Sequence, residues 1–307
     1  MSQKATEARH EKAEGLDQRD PAEILALLAS GQQAAASAVD AAIPALADAA
    51  ELVAQALRSG KKLIYAAAGS SGLMAMADAL ELPGTYGIPR DQIRLLLAGG
   101  LSSLGDMPGT PEDDTKLAES DADVIAAGDC VLAVSASGST PYVLKIAEIA
   151  RDRGARIVAI ANNSGARLFD GADVCVLLET PPEIVAGSTR MGAGTAQKLA
   201  FNMISTLAAI RLGHVHDGHM VDLRADNEKL RIRAAGMVAE IAEIGFDDAR
   251  GWLEAAGGSV KLAVLLAKGV PDADAAQELL IRSDHVLRKA LAELKMTENT
   301  VKCAARR

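Results

Sequence analysis

The chain has 307 residues, enough for one large domain or for a domain with a smaller appendage. Its hydrophobic fraction of 49% permits a sizeable core, while aromatics at 2% leave few platforms on which nucleobases stack. A formal net charge of −9 without a basic face argues against a nucleic-acid partner; Lys229, Arg231 and Arg233 are separated by apolar residues and read as a solvated helix face.

The three cysteines, Cys130, Cys175 and Cys303, are scattered, which suits reduced thiols better than a disulfide framework. No Cys-x-x-Cys or His-rich spacing points to a metal. His214, His216 and His219 are closely spaced, but with no second ligand cluster they read as solvated or substrate-proximal histidines. Met1–Asp20 is highly charged, unlike a signal peptide, and no apolar run approaches the ~18 residues of a membrane span. A cytoplasmic location without a membrane partner is therefore expected.

Residues 1–20 read as a polar arm. From Pro21 to about Ser59 the apolar residues Ile24, Leu25, Leu27, Leu28, Val39, Ile43, Leu46, Val53 and Leu57 recur at helical spacing. Breaks near Gly31 and Pro44 would divide this stretch into two helices. Five short runs follow, at Lys62–Ala66, Ile93–Ala98, Cys130–Ser135, Ile157–Ala161 and Val174–Leu178. They are apolar on both parities and mostly separated by helical stretches, the pattern of a parallel sheet buried on both faces. The fold class predicted is α/β, a doubly wound five-stranded parallel sheet flanked by helices, with a small helical C-terminal subdomain. Long helices are expected over Arg190–Leu212 and Asn227–Ile244, then shorter ones punctuated by Gly245, Gly257-Gly258 and Pro271. Trp252 and Phe246 are expected in the core of that subdomain. The corresponding boundaries are 1–59 for the arm and first helices, 60–225 for the sheet domain and 226–307 for the helical subdomain.

In such a sheet, ligands bind beyond the carboxyl ends of the strands. The first strand ends at Gly69-Ser70-Ser71-Gly72 and leads into a helix over Leu73–Leu80. Glycines admit close backbone approach, serines add hydroxyl donors, and a helix N-terminus offers unpaired N–H groups to an anion. An ordinary strand–helix turn with a serine cap accounts for this loop equally well. It is neither a dinucleotide fingerprint nor a P-loop. The third strand repeats the device with Ser135, Ser137, Gly138, Ser139 and Thr140, again before a helix. Two hydroxyl-rich turns on neighbouring strands would converge on one phosphate. Three acids stand nearby in sequence. Glu183 precedes Gly187-Ser188-Thr189-Arg190, Glu112 lies in Pro111-Glu112-Asp113-Asp114, and Glu81 precedes Pro83, which is expected to stop its helix near the sheet edge. Each alone reads as a solvated acid or a helix cap.

These blocks together resemble a known family. The hydroxyl loops and Glu183–Thr189 look like the sugar isomerase (SIS) fold, and more closely like N-acetylmuramic acid 6-phosphate etherases. The resemblance begins at Thr6-Glu7-x-Arg9 and continues through Asp78-Ala79-x-Glu81-x-Pro83, Glu112-Asp113, Ser137-Gly138-x-Thr140-Pro141 and Gly187–Lys198 to Met220-Val221-Asp222 and Asn227-x-Lys229-Leu230. It implies a cofactor-independent carbon–oxygen lyase that splits the C3 lactyl ether of a 6-phosphorylated amino sugar. Glu81 would be the acid and Glu112 the base at C2. It also implies a homodimer with active sites near the subunit interface. The alternatives are a non-catalytic sugar-phosphate sensor and an aldose–ketose isomerase using Glu183 as base.

The chain departs from that family at Leu73 and Ser139, where Arg is usual, at Gly192, where Lys is usual, at Ser135, where Ala is usual, and at Gly109, where Glu is usual. Charged hydrogen bonds are worth ~1.5–3 kcal/mol each. Losing three cations therefore predicts weaker binding of a doubly anionic substrate, and a substrate without the lactyl carboxylate.

Overall fold

The computed structural model describes residues 5–106 and 108–304, and the side chains of all of these but 103, 104 and 297–304. The side chain of Cys303 lies outside that set. Two compact units result, one of Met1–Leu80 with Arg90–Ala208, the other of Glu81–Pro89 with Ala209–Arg307.

The first unit is built on five parallel strands: β1 (Leu63–Ala67), β2 (Ile93–Leu97), β3 (Cys130–Val134), β4 (Arg156–Ala161) and β5 (Val174–Leu177), in the spatial order β2-β1-β3-β4-β5. All five fall on the predicted apolar runs. Every residue of β1 and β3 is buried, as continuous apolar strands in a two-sided sheet require. The helices are α1 (Pro21–Ala36), α2 (Ile43–Arg58), α3 (Gly69–Thr85), α4 (Thr115–Asp121), α5 (Pro141–Asp152) and α6 (Gly192–Arg211), with α3 and α6 each running on into the second unit. One face of the sheet buries Ile64, Ala66, Val131 and Ala133 against Tyr142, Val143 and Ile146 of α5.

Two predicted boundaries moved. α1 runs straight through Gly31, because that glycine serves packing: a Cβ there would stand 3.1 Å from Ile184 Cγ1. The break falls instead in a 3₁₀ stretch at Ser37–Ala42, and Pro44 occupies the first turn of α2, where its missing N–H costs nothing. Pro83 does not stop α3 either. The helix continues to Thr85, with the Tyr86 N–H bonded to the Leu82 carbonyl at 3.0 Å.

The second unit holds a two-residue hairpin, β6 (Val215–His216) and β7 (His219–Met220), and helices α7 (Glu228–Ala242), α8 (Phe246–Ala255), α9 (Val260–Ala267), α10 (Ala273–Arg282) and α11 (Leu287–Ala304). Its core is aliphatic, drawn from Val238, Leu253, Val260, Val264, Leu265 and Leu279. Phe246 and Trp252 are not part of it, at 43% and 39% exposed. α8 turns Ala249 and Leu253 inward, which leaves the faces of these two rings outside. Lys229, Arg231 and Arg233 are exposed on α7.

Candidate functional site

β1 and β3 are neighbours, paired through Ala67 and Val134, so their succeeding residues leave the sheet side by side. After β1 there is no loop. Gly69, at φ +53°, already opens α3, and Ser70, Ser71 and Gly72 form its first turn, with the Gly72 N–H on the Ala68 carbonyl at 3.2 Å. Ser71 is buried and Ser70 half-buried. The end of β1 thus delivers the positive end of a 17-residue helix to the carboxyl edge of the sheet.

After β3 the chain forms a tight cradle. Ser135 Oγ shares hydrogen bonds with Thr140 Oγ1 at 2.8 Å and Ser137 Oγ at 3.2 Å, and accepts the Gly138 N–H at 3.1 Å. Ser137 Oγ accepts the Ser139 N–H at 3.2 Å and the Ser139 hydroxyl at 3.0 Å. Thr140 is the N-cap residue of α5 and Pro141 its first residue, so four hydroxyls crowd a second helix N-terminus. Gly138 is obligatory there. Its φ is +65°, and a Cβ would stand 2.2 Å from the Ala166 Cβ. The segment after β4 braces the turn, since Leu168 donates to the Gly138 carbonyl at 3.1 Å and Asn162 to the Ala136 carbonyl at 3.1 Å.

Glu112 joins this edge. It lies in a 3₁₀ turn, Thr110–Asp113, and a Cβ on Gly69 would stand 2.7 Å from its Oε1, so the carboxylate rests on the start of α3. Burial first, and then the negative charge of Asp113, raise its pKa above the ordinary glutamate value. A carboxylate with raised proton affinity beside a helix N-terminus at the carboxyl edge of the sheet is suited to general-base work.

Glu183 is placed differently. It is buried, and its two oxygens accept the Gly192 N–H at 3.0 Å and the Ala193 N–H at 2.9 Å, capping α6. Gly192 makes that approach possible, because a Cβ there would stand 3.0 Å from Glu183 Oε2 and 3.1 Å from Ala35 Cβ. Ser188 and Thr189 are half-buried in the turn leading to α6, and their carbonyls accept from Met191 at 3.1 Å and Gly194 at 2.8 Å. Glu81 belongs to the second unit and is exposed. The segment after it is anchored within that unit. Arg224 donates to the Gly84 carbonyl at 3.0 Å, and Gly87, at φ +66°, lies so close to Asp222 that a Cβ would stand 2.4 Å from its carbonyl oxygen. Asp222 in turn pairs with the buried Lys261 at 2.5 Å.

Two groups of residues have structural roles that the sequence alone did not assign, although Asp78 and Thr6 stand in its motif blocks. Asp78 is buried and accepts from the Tyr65 hydroxyl at 2.6 Å, Asn202 Nδ2 at 2.7 Å and the Ser205 hydroxyl at 2.9 Å, tying α3 to β1 and α6. The available signal was a charged residue flanked by Ala75, Ala79 and Leu82 on the apolar face of a helix. Thr6 and Asn163 form the second group. The histidines lean on separate carboxylates: His214 toward Asp222 at 3.7 Å, His216 toward Asp217 at 3.7 Å and His219 toward Glu240 at 3.4 Å. Among the described residues no cluster of three or more His, Cys, Asp or Glu is arranged to hold a metal.

Residues 97–210 match the SIS domain family. The chain is 38% identical over 289 residues to the N-acetylmuramic acid 6-phosphate etherase of Geobacillus thermodenitrificans, covering 94% of this chain and 98% of that protein. It is 41% identical over 266 residues to the enzyme of the same name from Symbiobacterium thermophilum, covering 86% and 89%. This chain belongs to the N-acetylmuramic acid 6-phosphate etherase family. As a family member it is an enzyme, a carbon–oxygen lyase carrying a SIS domain. A phosphoheptose isomerase from Francisella tularensis is also similar, at 22% identity and a TM-score of 0.46 over 62% of this chain and 97% of that one.

Proposed function

We propose that the protein cleaves the C3 ether of N-acetylmuramic acid 6-phosphate, releasing D-lactate and N-acetylglucosamine 6-phosphate. The observation that carries this reading is the end-to-end likeness to etherases at 38–41% identity. The hydroxyls of Ser135, Ser137, Ser139 and Thr140, with Gly69, Ser70, Ser71 and Gly72 at the start of α3, would receive the 6-phosphate between two helix N-termini. The aldehyde of the open-chain sugar acidifies the C2–H bond. Glu112 takes that proton, burial and the charge of Asp113 raising its affinity for it. The family resemblance gives Glu81 the other role: it would deliver a proton to the ether oxygen as the C3–O bond breaks, leaving a C2=C3 double bond and lactate. Water then adds its oxygen to C3 and C2 regains a proton. No step calls for a redox or metal partner.

Glu183 has no part in proton transfer in this account. Its carboxylate is engaged by the backbone of α6, which counts against the isomerase reading that makes it the base. Ser188 and Thr189 would add hydroxyls to the substrate from the turn before α6. A related substrate without the lactyl carboxylate is the second reading. It is favoured by Gly192, whose contact with Glu183 and Ala35 leaves no ready space for the usual lysine. Purified protein incubated with N-acetylmuramic acid 6-phosphate decides between them: D-lactate release at an ordinary enzymatic rate supports the first, and weak binding without D-lactate release, alongside cleavage of a 3-ether that lacks the carboxylate, the second.

We also propose a homodimer with α1 at its interface. Ile24, Leu25, Leu27 and Leu28 are apolar yet none is buried, and Leu25 is 65% exposed. The same helix meets the 183–195 segment through Gln32 and Thr195, which would put the site near the interface. A monomer mass by light scattering would contradict this. The proposed compartment is the cytoplasm, which suits the free thiols of Cys130 and Cys175; recovery in an exported fraction would count against it. Among the described residues no helix is long and apolar enough to cross a membrane.

A further inference from the structure

The motif Thr6-Glu7-x-Arg9 has no part in the chemistry above, yet it is docked beside the cradle. Within residues 5–20 Thr6 alone is buried, at 4% exposure. Its partner is Asn163, itself 7% exposed. Asn163 Oδ1 accepts the Thr6 N–H at 3.4 Å, and its Nδ2 donates both to Thr6 Oγ1 at 3.1 Å and to the Ala136 carbonyl at 3.0 Å. Ala136 sits between Ser135 and Ser137, inside the hydroxyl cradle. Ala166, which closes on Gly138, donates its N–H to the Asn163 carbonyl at 3.2 Å. On the other side, Glu7 Oε2 lies 3.9 Å from where a Cβ of Gly187 would be, next to Ser188 and Thr189. One side chain thus couples the amino-terminal segment to the cradle, and the next residue reaches the second hydroxyl-rich turn.

Other bonds of the arm run within it, and Arg19 also pairs with Glu23 of α1 at 3.5 Å. Ala8 donates to the Ala5 carbonyl at 3.2 Å, and Arg19 Nη2 donates to the carbonyls of Lys12 at 3.0 Å and Glu14 at 2.9 Å. The Thr6–Asn163 contact therefore acts as a latch. We propose that Ala5–Arg9 is a strap whose docking through Thr6 and Asn163 is linked to occupancy of the Ser135–Thr140 cradle, making both residues positioning residues for sugar-phosphate binding. This rests on the reading of the cradle as the phosphate site.

The physical basis is reciprocity. The Ala136 carbonyl between the two serines is held by the Asn162 N–H and by Asn163 Nδ2. Thr6 fixes the Asn163 amide in the orientation that makes the second bond, so an open latch loosens one of the two anchors, and a ligand that needs the cradle ordered holds the latch shut by the same factor. One net buried hydrogen bond corresponds to about a fivefold change in an equilibrium.

The probe is N-acetylglucosamine 6-phosphate, titrated by calorimetry into the full chain, alongside tryptic cleavage after Arg9 and Lys12 followed by intact mass. In the unaltered protein, saturating ligand should slow cleavage about fivefold. Thr6→Val, nearly isosteric, should cleave faster without ligand, lose the protection and weaken Kd about fivefold, while Thr6→Ser restores both. Asn163→Ala should behave as Thr6→Val or more severely. If the unaltered protein binds the ligand but cleavage is indifferent to it, or Thr6→Val keeps Kd within twofold, the linkage is wrong. If the unaltered protein binds no sugar phosphate, the cradle reading fails and the proposal falls with it.

Discussion

Replacing Glu112 by glutamine should move activity and stability in opposite directions. The side chain is half-buried against the start of α3, and glutamine keeps its shape, so the contact at Gly69 survives. What disappears is a negative charge that burial and Asp113 both oppose. The sign follows from linkage. An unfolded glutamate titrates near ~4.3, and in the folded protein the value is higher. Folding therefore favours the protonated form, and the unaltered protein loses stability as pH rises through the window that starts at the unfolded value and ends at the raised one. Above that window Glu112→Gln should melt at the same temperature as the parent or higher, and near pH 4 the difference should vanish. Activity should fall by about 10²–10⁴ in kcat, the usual contribution of a positioned general base. Thermal melts at pH 4 and pH 7.5, with D-lactate assays on the same preparations, test both limbs. A variant several degrees less stable at pH 7.5, or one keeping kcat within tenfold, would refute the reasoning.

Gly138→Ala must adopt φ +65° and push against Ala166, so it should abolish sugar-phosphate binding in calorimetry while leaving the far-UV circular dichroism unchanged; intact binding would contradict the cradle geometry. Asp78→Ala strands the buried donors of Tyr65 and Ser205 at ~1–3 kcal/mol each and the half-buried donor of Asn202 at less, so a clear drop in melting temperature is expected, whereas Asp78→Asn, which still accepts two of the three, should lose much less. Lys261→Met leaves Asp222 without its cation. Since Asp222 is 27% exposed, the cost should lie at or below the ~3 kcal/mol lower bound for a broken buried pair, and the double variant with Asp222→Asn should recover part of it in a melt.

The five strands were legible because each is a short apolar run on both parities, and the two hydroxyl turns because their residues are contiguous. Glu112, Ser135 and Thr140 came into view with them. What sequence could not disclose were roles set by distant partners. Thr6 and Asn163 are 157 residues apart, and Asp78 and Ser205 are 127 apart. Local rules also misjudged residues that answer to packing. Gly31 and Pro83 read as breakers, yet Gly31 packs on Ile184 within α1 and Pro83 is carried inside α3. Phe246 and Trp252 read as core because they are large and apolar, but smaller aliphatic side chains fill that core instead. For Glu183 the plain reading, a helix cap, matches its hydrogen bonds, although the same residue was a candidate for the substrate site.

The central claim is an elimination across C2–C3 followed by addition of water. Turnover of N-acetylmuramic acid 6-phosphate in H₂¹⁸O and in D₂O, read by mass spectrometry, tests it most directly. The account predicts solvent oxygen at C3 of N-acetylglucosamine 6-phosphate, none gained by lactate at its ether-derived hydroxyl, and deuterium at C2. Solvent oxygen in the lactate hydroxyl, with hydrogen retained at C2, would contradict it.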